Sequence, residues 1–405
     1  MARSSRACLR ASTRRVAALV VVGASLVVGG CSSWPSWMQI PPPNFSWLTS
    51  LFGGSSKKLE PVPEIKATAT PQIVWKVEIG KASAGLAPAV TPVAIYAAAA
   101  SGTVMRVDPA TGATVWRIDA GKRLAAGVGA DATLIAVGTD KGDVLAFDTD
   151  GKPQWQAKIS SEVIGPPKIG EGTVVVWSGD GRIYGLSAAD GKTKWVYQRT
   201  NPPLVVRNYA GGVISRGGLL SGTAGGKLLA MDLATGAIGW EGNVATPKGA
   251  TELERIADVT SLPLVEERQV CAVAYQGRVA CFEILRGQLN WTRDVSSLTG
   301  LAADSRYVYV ADDTGAVHAL DKVTGASAWK QEKLKGRRIG GPQLAGDHVA
   351  VFDREGYVYL LERADGNVVG FTATDGTEPT AQAALSGANA IWQSEGGTLY
   401  AVTAR

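Results

Sequence analysis

Histidine, cysteine and methionine are scarce in this chain of 405 residues, which holds two His, four Cys and four Met. The histidines are His318 and His348, and His318 sits in a strand-like segment where parallel segments carry Arg, Leu, Tyr or Val, so it reads as an ordinary strand residue. No Gly-x-Ser-x-Gly, His-Glu-x-x-His or phosphate-loop motif occurs, and the chemistry those motifs support is not expected. No metal site and no cofactor site is expected either. Strong charge is also lacking. Residues 1–30 contain five of the 41 basic residues and none of the 36 acidic ones, so the rest of the chain is balanced. A polyanion partner needs a clustered basic surface, and nucleic-acid binding is therefore not expected. Long apolar runs are missing too. Residues 16–28 form a stretch of roughly 13, against the ~20 of a spanning helix.

That stretch follows Arg3, Arg6, Arg10, Arg14 and Arg15, the order of a secretory signal peptide over residues 1–30. It ends in Val28-Gly29-Gly30-Cys31, which resembles the bacterial lipobox. In that motif the Cys thiol takes a diacylglyceryl group and becomes the new N-terminus, so Cys31 is the expected lipid attachment site. Ser32 follows, where an inner-membrane retention signal would usually show Asp, and the resemblance points to the outer membrane. The alternative is a soluble secreted protein with an ordinary small-residue cleavage site. Residues 31–70 are rich in Pro, Ser and Trp and read as an extended tether. Trp34, Trp37, Phe45 and Trp47 are candidates for the bilayer interface, or for packing on the folded domain.

Residues 71–405 are organised by a repeat. Gly102-Thr-Val-Met-Arg-Val-Asp-Pro-Ala-Thr-Gly112 runs to Trp116, and similar units end at Trp155, Trp195, Trp240, Trp291 and Trp329. A seventh unit starts at Gly356 but has Gly370 in place of Trp; an eighth starts at Gly397 and runs out of chain, while an unmatched Trp75 stands at the other end. Alternating apolar residues make half-buried strands. Asp108, Asp148, Asp232 and Asp321 fall at turns, where a carboxylate accepts backbone N–H groups and a following Gly takes positive φ. A β-rich repeat of about 40 residues is the period of a propeller with four strands per blade. The expected fold is all-β: an eight-bladed β-propeller of four-stranded blades, its last blade closed by the N-terminal strand near residues 73–79.

The consensus Ala-x-Asp-x-x-Thr-Gly-x-x-x-Trp resembles the PQQ-like, quinoprotein-type repeat, and the chain has no Trp-Asp dipeptide of the WD40 kind. Quinoprotein dehydrogenases carry an adjacent Cys-Cys pair, a carboxylate-rich Ca²⁺ site and long insertions; this chain has no Cys-Cys pair, and residues 71–405 leave no room for such insertions. The resemblance is one of architecture, and no enzyme activity is expected. Cys271 and Cys281 flank a turn at Tyr275-Gln276-Gly277. A three-residue loop would place them opposite one another and a two-residue loop on opposite faces, so a disulfide remains open.

Spacing between successive repeat tryptophans from Trp75 to Trp329 is 41, 39, 40, 45, 51 and 38. The two long steps lie between Trp195 and Trp291. They put surplus residues into two surface loops, 199–209 and 243–262, the usual carriers of binding in such folds; they could also merely bridge a wider blade. With the lipobox, tether and eight repeats, these loops resemble those of the BamB family, lipoproteins of the outer-membrane β-barrel assembly (BAM) machinery. In that family both loops bind the periplasmic POTRA domains of the barrel protein BamA. The resemblance carries the partner-binding role to Leu204, Val206 and Arg207 in the first loop and to Asp258 in the second. Thr260 stands where the family has a second Asp. It further implies a lipid-anchored protein facing the periplasm, other BAM components as partners, and contact with unfolded barrel clients. A competing reading is a periplasmic propeller that binds a sugar or peptidoglycan in an aromatic-lined pocket, with a PQQ-dependent dehydrogenase a distant third.

Overall fold

The computed structural model describes residues 59–200, 202–207 and 211–404. Within them the chain forms thirty-two strands and no helix, arranged as eight four-stranded antiparallel sheets. Blades one to seven follow the sequence, from 89–119 to 343–373. The eighth takes three strands from 384–404 and its outermost strand from Pro71–Glu78, paired from Pro71↔Ala404 to Glu78↔Thr398. The propeller and its closure by the N-terminal strand are thus as the repeat implies. In blades one to seven the chain runs from the innermost strand to the outermost. Connections between blades therefore share one face with the turns between second and third strands.

Each middle pair of strands is buried, whereas the outermost strands alternate, as in the exposed-intermediate pattern of Thr114–Asp119. What holds blade to blade is the tryptophan of that outer strand. The indole N–H of Trp75, Trp116, Trp155, Trp195, Trp240, Trp291 and Trp329 donates to a carbonyl in the outer turn of the next blade at 2.8–3.1 Å. The ring lies against the glycine ending that turn. A Cβ at Gly191, Gly236, Gly287, Gly325 or Gly366 would stand 2.4–2.6 Å from the indole, and each has φ between 67° and 74°. Ring clearance and backbone conformation both demand glycine there. The turn is fixed by its aspartate; Asp108 Oδ1 accepts the N–H of Ala110 and Thr111 and the Thr111 hydroxyl at 2.8–3.1 Å.

Seven of the eight blade joints use this contact. The joint between blades seven and eight cannot, because blade eight draws its outer strand from the N-terminus and has no such turn. Gly370 holds the vacant tryptophan position, and a Cβ there would be 2.0 Å from the Ala69 carbonyl oxygen. The incoming chain fills the gap. Thr68 and Ala69 N–H donate to the Val369 carbonyl at 2.8 and 3.1 Å, and Val62 and Ile65 pack on the core between blades six and seven. Further back, buried Arg337 donates to the Glu60 carbonyl at 2.5 Å and is itself held by Asp353. Residues 59–70 therefore lie along the propeller. The expected tether upstream of them, residues 31–58, and Cys31 fall outside the described residues.

Cys271 and Cys281 are directly opposite, 4.0 Å apart at Cα, and joined as a disulfide. The loop is the three-residue form, closed by Ala274 N–H on the Arg278 carbonyl. Gln276, not Gly277, takes the positive φ.

Two substitutions separate these roles. Trp195→Ala should lower the denaturation free energy by about 3–5 kcal/mol, the range for emptying a buried tryptophan site. Gly370→Trp, which restores the repeat consensus, should also lower the denaturant midpoint and expose residues 59–70 to protease. A higher midpoint for Gly370→Trp would contradict the assigned role of the strap.

Candidate functional site

The two long connections lie side by side on the inter-blade face, entering blades four and five. The first joins Thr193–Gln198 to Gly212–Ser215, and the second joins Ile238–Asn243 to Leu264–Val265. In the first, Leu204 and Val205 are each 43% exposed, Val206 is half-buried, and Arg207 is exposed. Arg207 reaches back to blade three, where its Nη2 meets Glu162 Oε1 at 2.5 Å. Leu204 and Arg207 are thus surface groups.

Asp258 and Thr260 stand differently. Asp258 is 2% exposed. Its two carboxylate oxygens accept the N–H of Val206 at 2.6 Å and of Gly225 at 2.7 Å, tying the second loop to the first and to blade four. Desolvation raises its pKa above 3.8, and the two backbone donors only partly offset that. Thr260 is also buried, and its hydroxyl donates to the Leu298 carbonyl at 3.0 Å. In this structure neither side chain is presented to a partner; both shape the surface from within.

Upstream, the second loop makes a single tight turn. Glu254 Oε2 accepts the N–H of Ala250 and Thr251, and Glu254 N–H donates back to the Thr251 hydroxyl at 3.3 Å, the reciprocal pattern of a capping box. These bonds hold the Glu254 pKa below its usual value. The turn lifts Leu253 to 66% exposure. Sequence reading did not single out Leu253; the Thr-x-x-Glu spacing around it was the available signal.

The loops border a cavity of about 810 Å³ at the propeller axis, lined by the stretches that lead into the innermost strands of all eight blades. Among the described residues Phe352 is the one aromatic side chain in its lining. A smaller cavity of about 300 Å³ lies beneath the first loop, bordered by Glu162, Arg207 and Asp258. His318 lies in blade six, where it bonds Asp312 at 2.8 Å. Among the described residues no group of three or more His, Cys, Asp or Glu is placed to hold a metal ion.

Comparison with known proteins then decides the family. The model of the family described as outer membrane protein assembly factor BamB matches residues 100–331. The chain belongs to the BamB family. A relative named outer membrane protein assembly factor BamB in Nitrosomonas eutropha is 42% identical over 335 residues, covering 81% of this chain and 82% of the relative. The BamB of Burkholderia pseudomallei is 36% identical over 389 residues, covering 96% and 97%. Among solved structures, BamB from Moraxella catarrhalis superimposes with a TM-score of 0.76 at 25% identity, covering 82% of this chain and all of that one. A quinohemoprotein alcohol dehydrogenase from Comamonas testosteroni gives a TM-score of 0.63 at 13% identity; that likeness is one of fold alone.

Asp258→Ala should cost about 2 kcal/mol through the two backbone donors it strands, and should raise hydrogen exchange at Val206 and Gly225 above that elsewhere in blade four. The pH sign follows from the raised pKa. Burial disfavours the ionised form, so its ionisation subtracts stability at neutral pH, and that loss is recovered as pH falls toward 3.8. Relative to Asp258→Asn, the native chain should gain stability over that acid window.

Proposed function

We propose that this BamB-family chain is a non-catalytic scaffold that assists assembly of β-barrel proteins in the outer membrane. It does so by docking on the POTRA domains of a BamA-like barrel protein within the BAM complex. The observation that carries this reading is the paired loop surface. Leu204, Val205 and Leu253 offer apolar contact, and Arg207 offers a guanidinium suited to a charge-assisted bond with a partner carboxylate. Val206 lies between them, held through its backbone by Asp258. Asp258 and Thr260 act as positioning residues. Thr260 is already bonded inside the protein, so an acidic group at that position is not needed to build the surface.

Lipidation at Cys31 would place the propeller at the periplasmic side of the outer membrane and raise its local concentration near the partner. Residues 59–60, where the tether joins, are fixed by Arg337 on the inter-blade face, the same face that carries the docking loops. Clients could pair with exposed outer strands, and other BAM components could use the remaining rim.

The test is affinity purification of the tagged, lipidated chain from detergent-solubilised outer membranes. A POTRA-bearing barrel protein should co-purify with the native chain. With Arg207→Ala or Leu204→Asp the apparent affinity should drop about ten-fold or more, the scale of one lost charge-assisted or hot-spot contact. Equal recovery from both variants, at equal expression and lipidation, would remove this surface from the account.

A further inference from the structure

The axial cavity has a charge pattern that partner docking does not explain. Among the described residues that line it none is acidic, and two, Lys168 and Arg207, are basic. Arg207 is paired with Glu162 at the rim. Lys168 has no ion-pair or hydrogen-bond partner among the described residues; its residue is half-buried in the strand bordering the cavity, and desolvation there, with no charged neighbour contributing, lowers its pKa from 10.5 to about 8. Ser261 borders the same cavity, is 5% exposed, and keeps a buried hydroxyl with no partner.

The repeat makes this lysine conspicuous. Lys168 pairs with Val175, which pairs with Gly185, which faces Trp195. The same register in the other blades leads to Ala89, Gly129, Val213, Leu264, Ala302, Gln343 and Ala384. Seven blades put an uncharged residue at this innermost place and blade three puts a cation there. No contact within the fold calls for it. A cation held in apolar surroundings without a counter-ion is unfavourable, and a ligand can supply the missing charge.

We propose that the axial cavity is a binding site for a carboxylate, held by the Lys168 ammonium with its apolar body against the cavity wall. One unpaired cation matches one negative charge. A phosphate dianion would bring a second charge with no partner into the same surroundings. The apolar part of the wall, including Val128, Ile169, Ile214 and Leu301, suits a short aliphatic body. The carboxylate could be that of a free small acid or the C-terminus of an extended peptide.

Isothermal titration of the full chain in detergent distinguishes these sources. One arm uses butyrate. The other uses an N-acetylated Val-Ala-Val peptide with a free or an amidated C-terminus. Binding of either carboxylate, at least ten-fold weaker with Lys168→Met and retained with Lys168→Arg, supports the site; the arm that binds names the source. For the peptide, amidation must weaken binding as strongly as Lys168→Met does. Affinity should fall as pH rises past about 8, since Arg207, the other charged group at the cavity, does not titrate there. Binding by neither arm, binding indifferent to Lys168, or equal binding of inorganic phosphate would overturn the proposal. A ligand-free measurement adds an independent check. Lys168→Met should raise the denaturation midpoint at pH 7, and the gain should fade as pH rises from about 8 toward 10.5, where the native lysine loses its charge in both states. A lowered midpoint at pH 7 would make Lys168 a structural prop and contradict the site.

Discussion

An indole laid across a glycine and bonded to the neighbouring carbonyl is the joint on which this ring depends, repeated at seven of its eight seams. The contact couples two levels of structure. A large aromatic area is buried at the outer margin of sheets that pack face to face, and the glycine that makes room for it is the one that the turn's positive φ requires. Turn chemistry and blade packing are thus met by a single residue. That is why the repeat tolerates variation along its strands but keeps its Gly-to-Trp frame from Gly112 to Trp329.

The eighth seam shows what the joint supplies by showing what replaces it. Closure with the N-terminal strand leaves blade eight without an outer turn, so a tryptophan at Gly370 would have no glycine to lie upon. The chain instead runs backbone through that space, with Val62, Ile65 and Ala69 packing on blade seven and beside it. Arg337 and Asp353, both almost wholly buried, fix the beginning of this strap. The entry point of the tether is thereby a rigid feature of the inter-blade face, which also carries the loops into blades four and five.

Much of this was legible in the sequence because a repeat announces itself. Period, blade number, closure and the two surplus loops all follow from where glycines and tryptophans stand. The absent tryptophan at Gly370 was visible too, but its cause was not, since it depends on a strap of residues read only as tether. The site was legible in part. Leu204 and Arg207 are exposed, yet Asp258 and Thr260 sit inside the protein. A carboxylate that meets a partner and one that gathers two backbone N–H groups look the same in one dimension. The disulfide hung on a single residue of loop length, and Gln276 took the left-handed turn in place of the neighbouring glycine. Lys168 passed unnoticed because its distinction lies in strand register, which only the sheet pairing reveals.

The account's central claim is that the paired loops on the inter-blade face are the surface through which this chain meets a barrel-bearing partner. The most direct test is photo-crosslinking in living cells, with a photoreactive residue at Leu204 or Leu253 and, as the opposite face, at Val323, which is 81% exposed on an outer turn of blade six. The account predicts adducts with an outer-membrane barrel protein from positions 204 and 253 and none from 323. Adducts from 323 alone would place the partner on the other side of the propeller and contradict it.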